Sequence, residues 1–229
     1  MLKALNHIVI SLISKVDCPT DLKHYRPISL CNVVCKVISK ILVNRLKPLL
    51  NTCISKNQVA FVPGRQILDN IIIFHEYLHF LKNKRYGKEG FMAVKLDMAN
   101  AYDRVEWPFL QAMMRKIGFC DLGIEWVMKC VNTISYSFNV NRELKEYISP
   151  SRGIRQADPL SPYLFLICSE AFPNLLKRAD QERTIKRLKI SRRGPTLTHL
   201  LFADDSLVFC KAGTTEARKL MELLHRYES

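Results

Sequence analysis

The chain lacks any window of ~18 uncharged apolar residues, the length that a membrane-spanning helix needs. Its nearest runs, Ala4 to Ser14 and Pro159 to Ser169, are bounded by charge, so no membrane partner is expected. A secretory signal is not supported either. The apolar stretch after Met1-Leu-Lys has only the length of a strand, and no small-residue cleavage site precedes Lys15. The eight cysteines include no C-x-x-C pair, and most have apolar neighbours, as reduced core thiols of an intracellular protein do. A zinc site therefore has little support. Internal repeats and low-complexity linkers are also missing, which leaves a mixed α+β chain without solenoid or tail.

Acidic residues are in short supply. Asp and Glu number 21 against 35 Lys and Arg, for a formal charge of +14, while 48% of the residues are hydrophobic. That hydrophobic content supports a folded core and excludes a disordered basic tail. At about 100–200 residues per domain, the length allows one large domain or two small ones. The excess is spread out: residues 1–90 carry 14 basic and 5 acidic side chains, and residues 91–229 carry 21 and 16. A local concentration of 8 basic and 2 acidic residues falls at 177–193. A distributed excess suits a groove that follows a phosphate backbone better than a terminal membrane anchor.

Patterning predicts a strand at His7–Ser14, a loop at Lys15–Lys23 and a basic amphipathic helix at Val33–Leu50. On that helix Val34, Val37, Ile38, Ile41, Leu42, Leu46 and Leu49 are the expected core face. Pro63-Gly64 reads as a turn, and Asp69 as the cap of a helix from Asn70 to about Lys84, followed by a polar loop at Arg85–Gly90. Phe91–Asp97 reads as a strand ending on a carboxylate, and Trp107–Gly118 as a helix stopped by its glycine. Ser135–Val140 with Glu146–Ile148 suggests a hairpin, Pro162–Ala179 one apolar helix, and Ile185–Ile190 a basic strand. Leu197–Cys210 reads as two short strands around Ala203-Asp204-Asp205, and Thr214–Tyr227 as an amphipathic helix.

Two adjacent carboxylates interrupt the apolar run Leu200-Leu-Phe-Ala-Asp-Asp-Ser-Leu-Val-Phe. At 4 Å a like-charge pair costs about 4 kcal/mol at an effective dielectric of 20, and desolvation adds to this. A solvated turn would relieve the cost. So would a divalent cation, because Asp97 closes a second apolar strand and gives three carboxylates in a basic protein. Hard cations favour such oxygen donors, and two of them can clamp the attacking and leaving oxygens of a phosphoryl transfer.

These residues resemble those of reverse transcriptases. Phe202-Ala-Asp-Asp is similar to the F/Y-A-D-D box, and Asp97-Met-Ala-Asn-Ala-Tyr-Asp103-Arg-Val-Glu-Trp107 to the D-x-x-x-A-Y/F-D box. Gly153-Ile-Arg-Gln-Ala-Asp-Pro-Leu-Ser-Pro resembles the R-Q-G-D-P-L-S-P box, and Tyr25-Arg-Pro-Ile-Ser-Leu and Gln58-Val-Ala-Phe-Val-Pro-Gly-Arg65 resemble finger motifs. Five boxes in order, from about Ile8 to Cys210, are most like the non-LTR (LINE-type) retrotransposon polymerases of plants. The resemblance implies an α+β right-hand polymerase with a small antiparallel palm sheet packed on helices: partial fingers at 1–90, palm at 91–229, and an endonuclease and thumb outside these residues.

The resemblance further implies an RNA-directed DNA polymerase that adds deoxynucleotides to a primer 3′-hydroxyl on an RNA template. Asp97, Asp204 and Asp205 would be the catalytic carboxylates and the ligands of two Mg²⁺ ions, with Mn²⁺ as a substitute. Tyr102 would gate against the ribose 2′-hydroxyl, with a core aromatic as the alternative. Arg26 would face the triphosphate, where a guanidinium fork suits phosphate. Lys23 would assist or remain a solvated loop lysine, and Gln156 would lie against the nascent base pair. Arg65 and Arg155 read as template or primer contacts, with a surface salt bridge as the alternative. Asp103, Arg104, Asp158 and Ser161 read as structural, Asp158 capping the following helix and Asp103 pairing with a cation.

Three positions depart from the pattern. Ala157 stands where the family usually has Gly, which permits φ > 0, and Asn100 and Ser14 stand where plant relatives carry Lys and Pro. Two alternatives stay open: a catalytically dead remnant that only binds nucleic acid, and a group II intron-type maturase. The family implies a nuclear location, although no clear localisation signal is present.

Overall fold

The computed structural model describes residues 3–84, 90–182, 184–185, 188–189 and 196–228. In chain order the first elements are β1 (His7–Ser14), β2 (Tyr25–Leu30), α1 (Val33–Cys53), α2 (Ile67–Asn83), β3 (Phe91–Asp97), α3 (Trp107–Ile117) and α4 (Asp121–Asn132). There follow β4 (Ser135–Val140), β5 (Glu143–Ile148), α5 (Ser161–Ser169), α6 (Ala171–Gln181), β6 (Leu188–Lys189), β7 (Thr196–Leu197), β8 (His199–Phe202), β9 (Asp205–Lys211) and α7 (Thr214–Glu228). They form two compact units, Met1–Leu49 with Asn100–Cys168 and Leu50–Ala99 with Ser169–Ser229. Each unit is made of two separate segments of the chain. Among the described residues, no helix is long and apolar enough to cross a membrane.

Unit 1 is built on the sheet β2-β1-β4-β5. β1 runs antiparallel to β2, with Ile13 opposite Arg26, and parallel to β4, while β4 and β5 form the expected hairpin. α3 ends where the sequence predicts, on Gly118 at φ +101, a conformation that glycine adopts without steric cost. α4 packs on α3 and has no counterpart in the sequence reading. Its buried Ile124, Val127, Met128 and Val131 have the spacing of an amphipathic helix and carried the missing signal.

α1 begins at Val33 as predicted and continues through Pro48 to Cys53, but its buried face is rotated. Val34, Val37, Ile41 and Leu49 are exposed, whereas Cys35, Ser39, Leu42, Val43 and Leu46 are buried. Ser39 is tolerated on the buried face because its hydroxyl donates to Asp158 Oδ2 at 3.2 Å, the partner that a buried hydroxyl needs.

Unit 2 is a three-stranded antiparallel sheet, β3-β9-β8, covered on both faces. Val208, Cys210 and Leu201 pack with Phe172 and Leu176 of α6 and Leu220 and Leu223 of α7. The alternate residues Phe209 and Leu200 pack with Tyr77 of α2, as the period of two in a strand requires. α2 starts three residues earlier than predicted: Gln66 holds the N-cap position and Asp69 lies in the first turn. There its charge favours the helix dipole without capping.

The predicted helix Pro162–Ala179 is two helices, separated at Glu170. Pro173, the third residue of α6, has no N–H to give to the Ser169 carbonyl, and its ring crowds that carbonyl. Of the basic segment 177–193, residues 183, 186–187 and 190–193 lie outside the described residues, as do 85–89 of the predicted polar loop. Of the predicted strand Ile185–Ile190, Leu188–Lys189 pairs with β7, whereas Ile185 lies in a bend outside any strand.

Candidate active site

All three predicted carboxylates lie in unit 2, at one end of its sheet. The β3–β9 register sets Asp97 opposite Asp205, and the β8–β9 register sets Phe202 opposite Asp205, so Ala203 and Asp204 form the connecting turn. Asp97 is exposed, and Asp204 and Asp205 are half-buried. Two carboxylates facing each other across strands repel. Lys95, two residues before Asp97 on the same strand face, offsets this repulsion: its Nζ is 3.0 Å from Asp205 Oδ1. The hydrogen bond and charge of Asp205 hold the lysine above its usual pKa. Among the described residues, no three His, Cys, Asp or Glu side chains converge as a metal site. The donor set itself, three carboxylates and no softer ligand, suits a hard divalent cation.

The turn rests on buried amides that the sequence reading did not single out. Ala203 has φ +52, and its N–H donates to Gln58 Oε1 at 3.1 Å. The same oxygen accepts the Ala60 N–H at 3.0 Å. Residues 57–59 run beside β8 as an extra rail: Leu201 N–H donates to Asn57 O at 3.0 Å, and Val59 N–H to Leu201 O at 3.3 Å. Asn70 Nδ2 bridges the carbonyls of Asn57 and Leu201. His199, 5% exposed, has one ring nitrogen 3.1 Å from Asn57 Nδ2 and the other 2.8 Å from Thr198 Oγ1. Burial pushes its pKa down to about 4. Gln58 lies inside a quoted motif, yet nothing in the spelling of that motif assigns it to the acid turn.

Arg65 does not stand free at the surface, as a template contact or surface salt bridge would: it is half-buried. Its guanidinium is spent on the carbonyls of Ser55, Gln58 and Ile54, closing the loop that follows α1. Burial lowers its pKa, and nearby Glu170 opposes that shift. Glu170 is buried and accepts the Ser55 N–H at 2.8 Å; burial raises its pKa, and this hydrogen bond and Arg65 resist the rise.

Unit 1 holds the other predicted residues. Arg155 is a second correction: it is 4% exposed, and its Nη2 lies 2.9 Å from Asp158 Oδ2. Its Nη1 donates to Asn6 Oδ1 at 3.0 Å. An arginine occupied in this way belongs to the core and is removed from template or primer. Asp158 also accepts the Leu160 N–H at 2.8 Å, which closes an Asx turn just ahead of α5 in place of the expected cap on the first turn of that helix. Ala157, between the paired residues, has φ +67, the conformation for which the family's glycine is suited. Asn100 has φ +54, which asparagine tolerates better than most residues.

Gly153, at φ +90, ties the D-x-x-x-A-Y-D segment to the R-Q segment. Its N–H donates to Val105 O at 2.7 Å, and the next residue, Ile154, donates to Tyr102 O at 2.9 Å. A Cβ at Gly153 would stand 3.2 Å from Asp103 O. Tyr102 stacks on Phe165, with ring centroids 5.4 Å apart. Gln156 is exposed and lines a cleft of about 140 Å³ with Pro27, Ser29, Asp103, Tyr136 and Arg152. Arg26 and Lys23 are exposed on β2 and the turn before it. Among the described residues Asp103 makes no ion pair, contrary to its expected pairing.

A family model described as "Reverse transcriptase (RNA-dependent DNA polymerase)" matches residues 13–228. The chain is 30% identical over 170 residues to the "Transposon TX1 uncharacterized 149 kDa protein" of Xenopus laevis, covering 74% of this chain and 13% of that protein. It is 30% identical over 205 residues to a "Retrovirus-related Pol polyprotein from type-1 retrotransposable element R2" of Nasonia vitripennis, covering 87% and 18%. It is also 44% identical over 69 residues to the "Uncharacterized mitochondrial protein AtMg01250" of Arabidopsis thaliana, covering 30% and 57%. The chain thus spans a minor part of the transposon proteins. Apo telomerase from Candida tropicalis, truncated from its C-terminal domain, superposes with TM-score 0.61 at 15% identity, over 99% of this chain and 48% of that one. The shared fold is that of polymerase fingers and palm.

Proposed function

From the premise that the chain belongs to the reverse transcriptase (RNA-dependent DNA polymerase) family, we propose that it is the fingers-and-palm portion of a non-LTR retrotransposon polymerase that extends a DNA primer on an RNA template. The primer 3′-hydroxyl attacks the α-phosphate of a deoxynucleoside triphosphate, and pyrophosphate leaves. Asp97 and Asp204 would hold two Mg²⁺ ions, with Asp205 beside them. When bound, these ions neutralise phosphate charge and lower the pKa of the attacking hydroxyl.

The chain's other residues take positioning roles in this reading. Arg26 and Lys23, both exposed, offer cations to the triphosphate. Tyr102, fixed flat against Phe165, presents a rigid ring to the sugar at C2′. Gln156, in the wall of its cleft, lies against the new base pair. The 44% identity to an Arabidopsis protein supports a plant source, and the family supports action on nuclear nucleic acid.

The observation that carries the proposal is the register that sets Asp97 opposite Asp205, with Asp204 next in the turn. Primer extension on an RNA template with Mg²⁺ tests it. The chain is expected to extend, and Asp204→Asn to lose roughly 10²–10³-fold of the rate, the usual worth of one preorganised electrostatic stabiliser. Equal extension by both proteins overturns the assignment. One observation favours a second reading, a non-catalytic nucleic-acid binder: Ala157 occupies the left-handed backbone region without the family's glycine. That reading predicts salt-sensitive RNA binding and no incorporation, even after Ala157→Gly.

A further inference from the structure

We infer that Gln58 is a positioning residue for the acid turn, acting through the Ala203 backbone to fix where Asp204 and Asp205 point. The inference rests on the polymerase reading for its kinetic consequence and on geometry for its origin. Gln58 is 1% exposed, and its Oε1 accepts two backbone N–H groups, one from its own loop and one from Ala203. A single oxygen therefore ties the loop after α1 to the residue immediately before Asp204.

Ala203 needs that tie. A non-glycine residue at φ +52 persists only where its surroundings over-determine it, and such strain collects at functional sites. The rail of residues 57–59 pins Leu201 by both its N–H and its carbonyl, but it ends there. Past Leu201, the Gln58 side chain holds the turn at Ala203. The Nε2 of Gln58 is buried without a hydrogen-bond partner. Leaving a buried donor unpaired is unfavourable, and an apolar residue of similar length would avoid that cost, so the oxygen accounts for an amide at this position. Asn57, Asn70 and His199 brace the rail, and Gln58 is its extension to the acids.

Three variants in the full chain separate positioning from bulk stability. Gln58→Met fills the space but offers no acceptor. Gln58→Glu restores an oxygen to both N–H groups. Gln58→Asn keeps an amide but withdraws it by one methylene, and replaces Met should Met not fold. Hydrogen exchange at the Ala203 amide is expected to quicken at least ~10-fold in Met or Asn, with α2 and α7 unchanged, and to stay slow in Glu. Nucleotide incorporation is expected to fall ~10–100-fold in kcat, the usual cost of removing an outer support, at unchanged KM for the nucleotide, and to recover within ~3-fold in Glu. Exchange that quickens evenly across unit 2, or Met and Glu variants that behave alike, overturns the inference. A wild-type chain without incorporation sinks the polymerase reading alone, because exchange at Ala203 still decides the role of Gln58.

Discussion

In unit 1, Ala157 sits at φ +67 between Arg155 and Asp158, and the buried ion pair of those two residues spans it. In unit 2, Ala203 sits at φ +52 over Gln58, Asn57, Asn70 and His199, none of them charged. A non-glycine residue in this region costs about 1–2 kcal/mol, so each turn must be imposed by what lies beneath it. Charge and neutral amides impose it with different sensitivities. A buried ion pair is strong while intact, but removing one partner strands the other in a medium that solvates it poorly. A neutral network has no stranded charge, and it fails when one of its members acquires a proton.

The largest effect comes from breaking the charged side of this contrast. Asp158→Asn leaves Arg155 without its counter-ion and is expected to cost about 3–5 kcal/mol, read as a fall in the urea midpoint at pH 7.5. Combining Arg155→Met with Asp158→Leu should recover most of the loss, because apolar replacement of a buried pair is commonly near neutral. A double variant as unstable as the single one would show that the pair matters through its hydrogen bonds to Asn6, Ser39 and Leu160 more than through its charge.

Acid probes the neutral side. Burial holds folded His199 near a pKa of about 4, whereas an unfolded histidine titrates near 6.5. The unfolded chain therefore binds the extra proton between these values. Stability from this site is full above pH ~6.5, falls as the pH drops toward ~4, and levels off below; the total is about 3 kcal/mol. Amide exchange at Leu201 and Ala203 should track that loss, and His199→Gln should flatten it. No slope between pH 6.5 and 4 would mean that His199 is hydrated or charged in the fold.

This contrast was only partly legible beforehand. The acid strand Phe91–Asp97 was readable to the residue, because alternation and a terminal carboxylate are local signals. The risk at Ala157 is readable too, since alanine stands at the glycine position of the R-Q-G-D-P pattern. Arg155 was not. Its partner three residues on reads as a helix cap, and sequence does not reveal that the guanidinium turns inward to Asp158 and Asn6. The buried face of α1 is not legible because the helix carries apolar residues on more than one side, and a polar residue, Ser39, lies on the buried one. Gln58 was hidden for a related reason: its partner is a backbone N–H, which every residue but proline offers.

The smallest prediction is the most direct test of how well each turn is held. Ala→Gly relieves the left-handed strain of about 1–2 kcal/mol and adds unfolded-state entropy worth about 0.5–1 kcal/mol. At exposed Ala157 nothing else changes, so Ala157→Gly is expected to stabilise by about 0.5–1 kcal/mol, a rise in Tm of ~2 °C for a chain of this size. Ala203 is 9% exposed, and losing its buried methyl removes about 0.8 kcal/mol. Ala203→Gly should therefore leave Tm nearly unchanged. Equal gains at the two sites would mean that the Ala203 methyl contributes no packing. A larger gain at Ala203 would mean that its support leaves more strain in the turn than the ion pair leaves at Ala157, which reverses the order of the comparison.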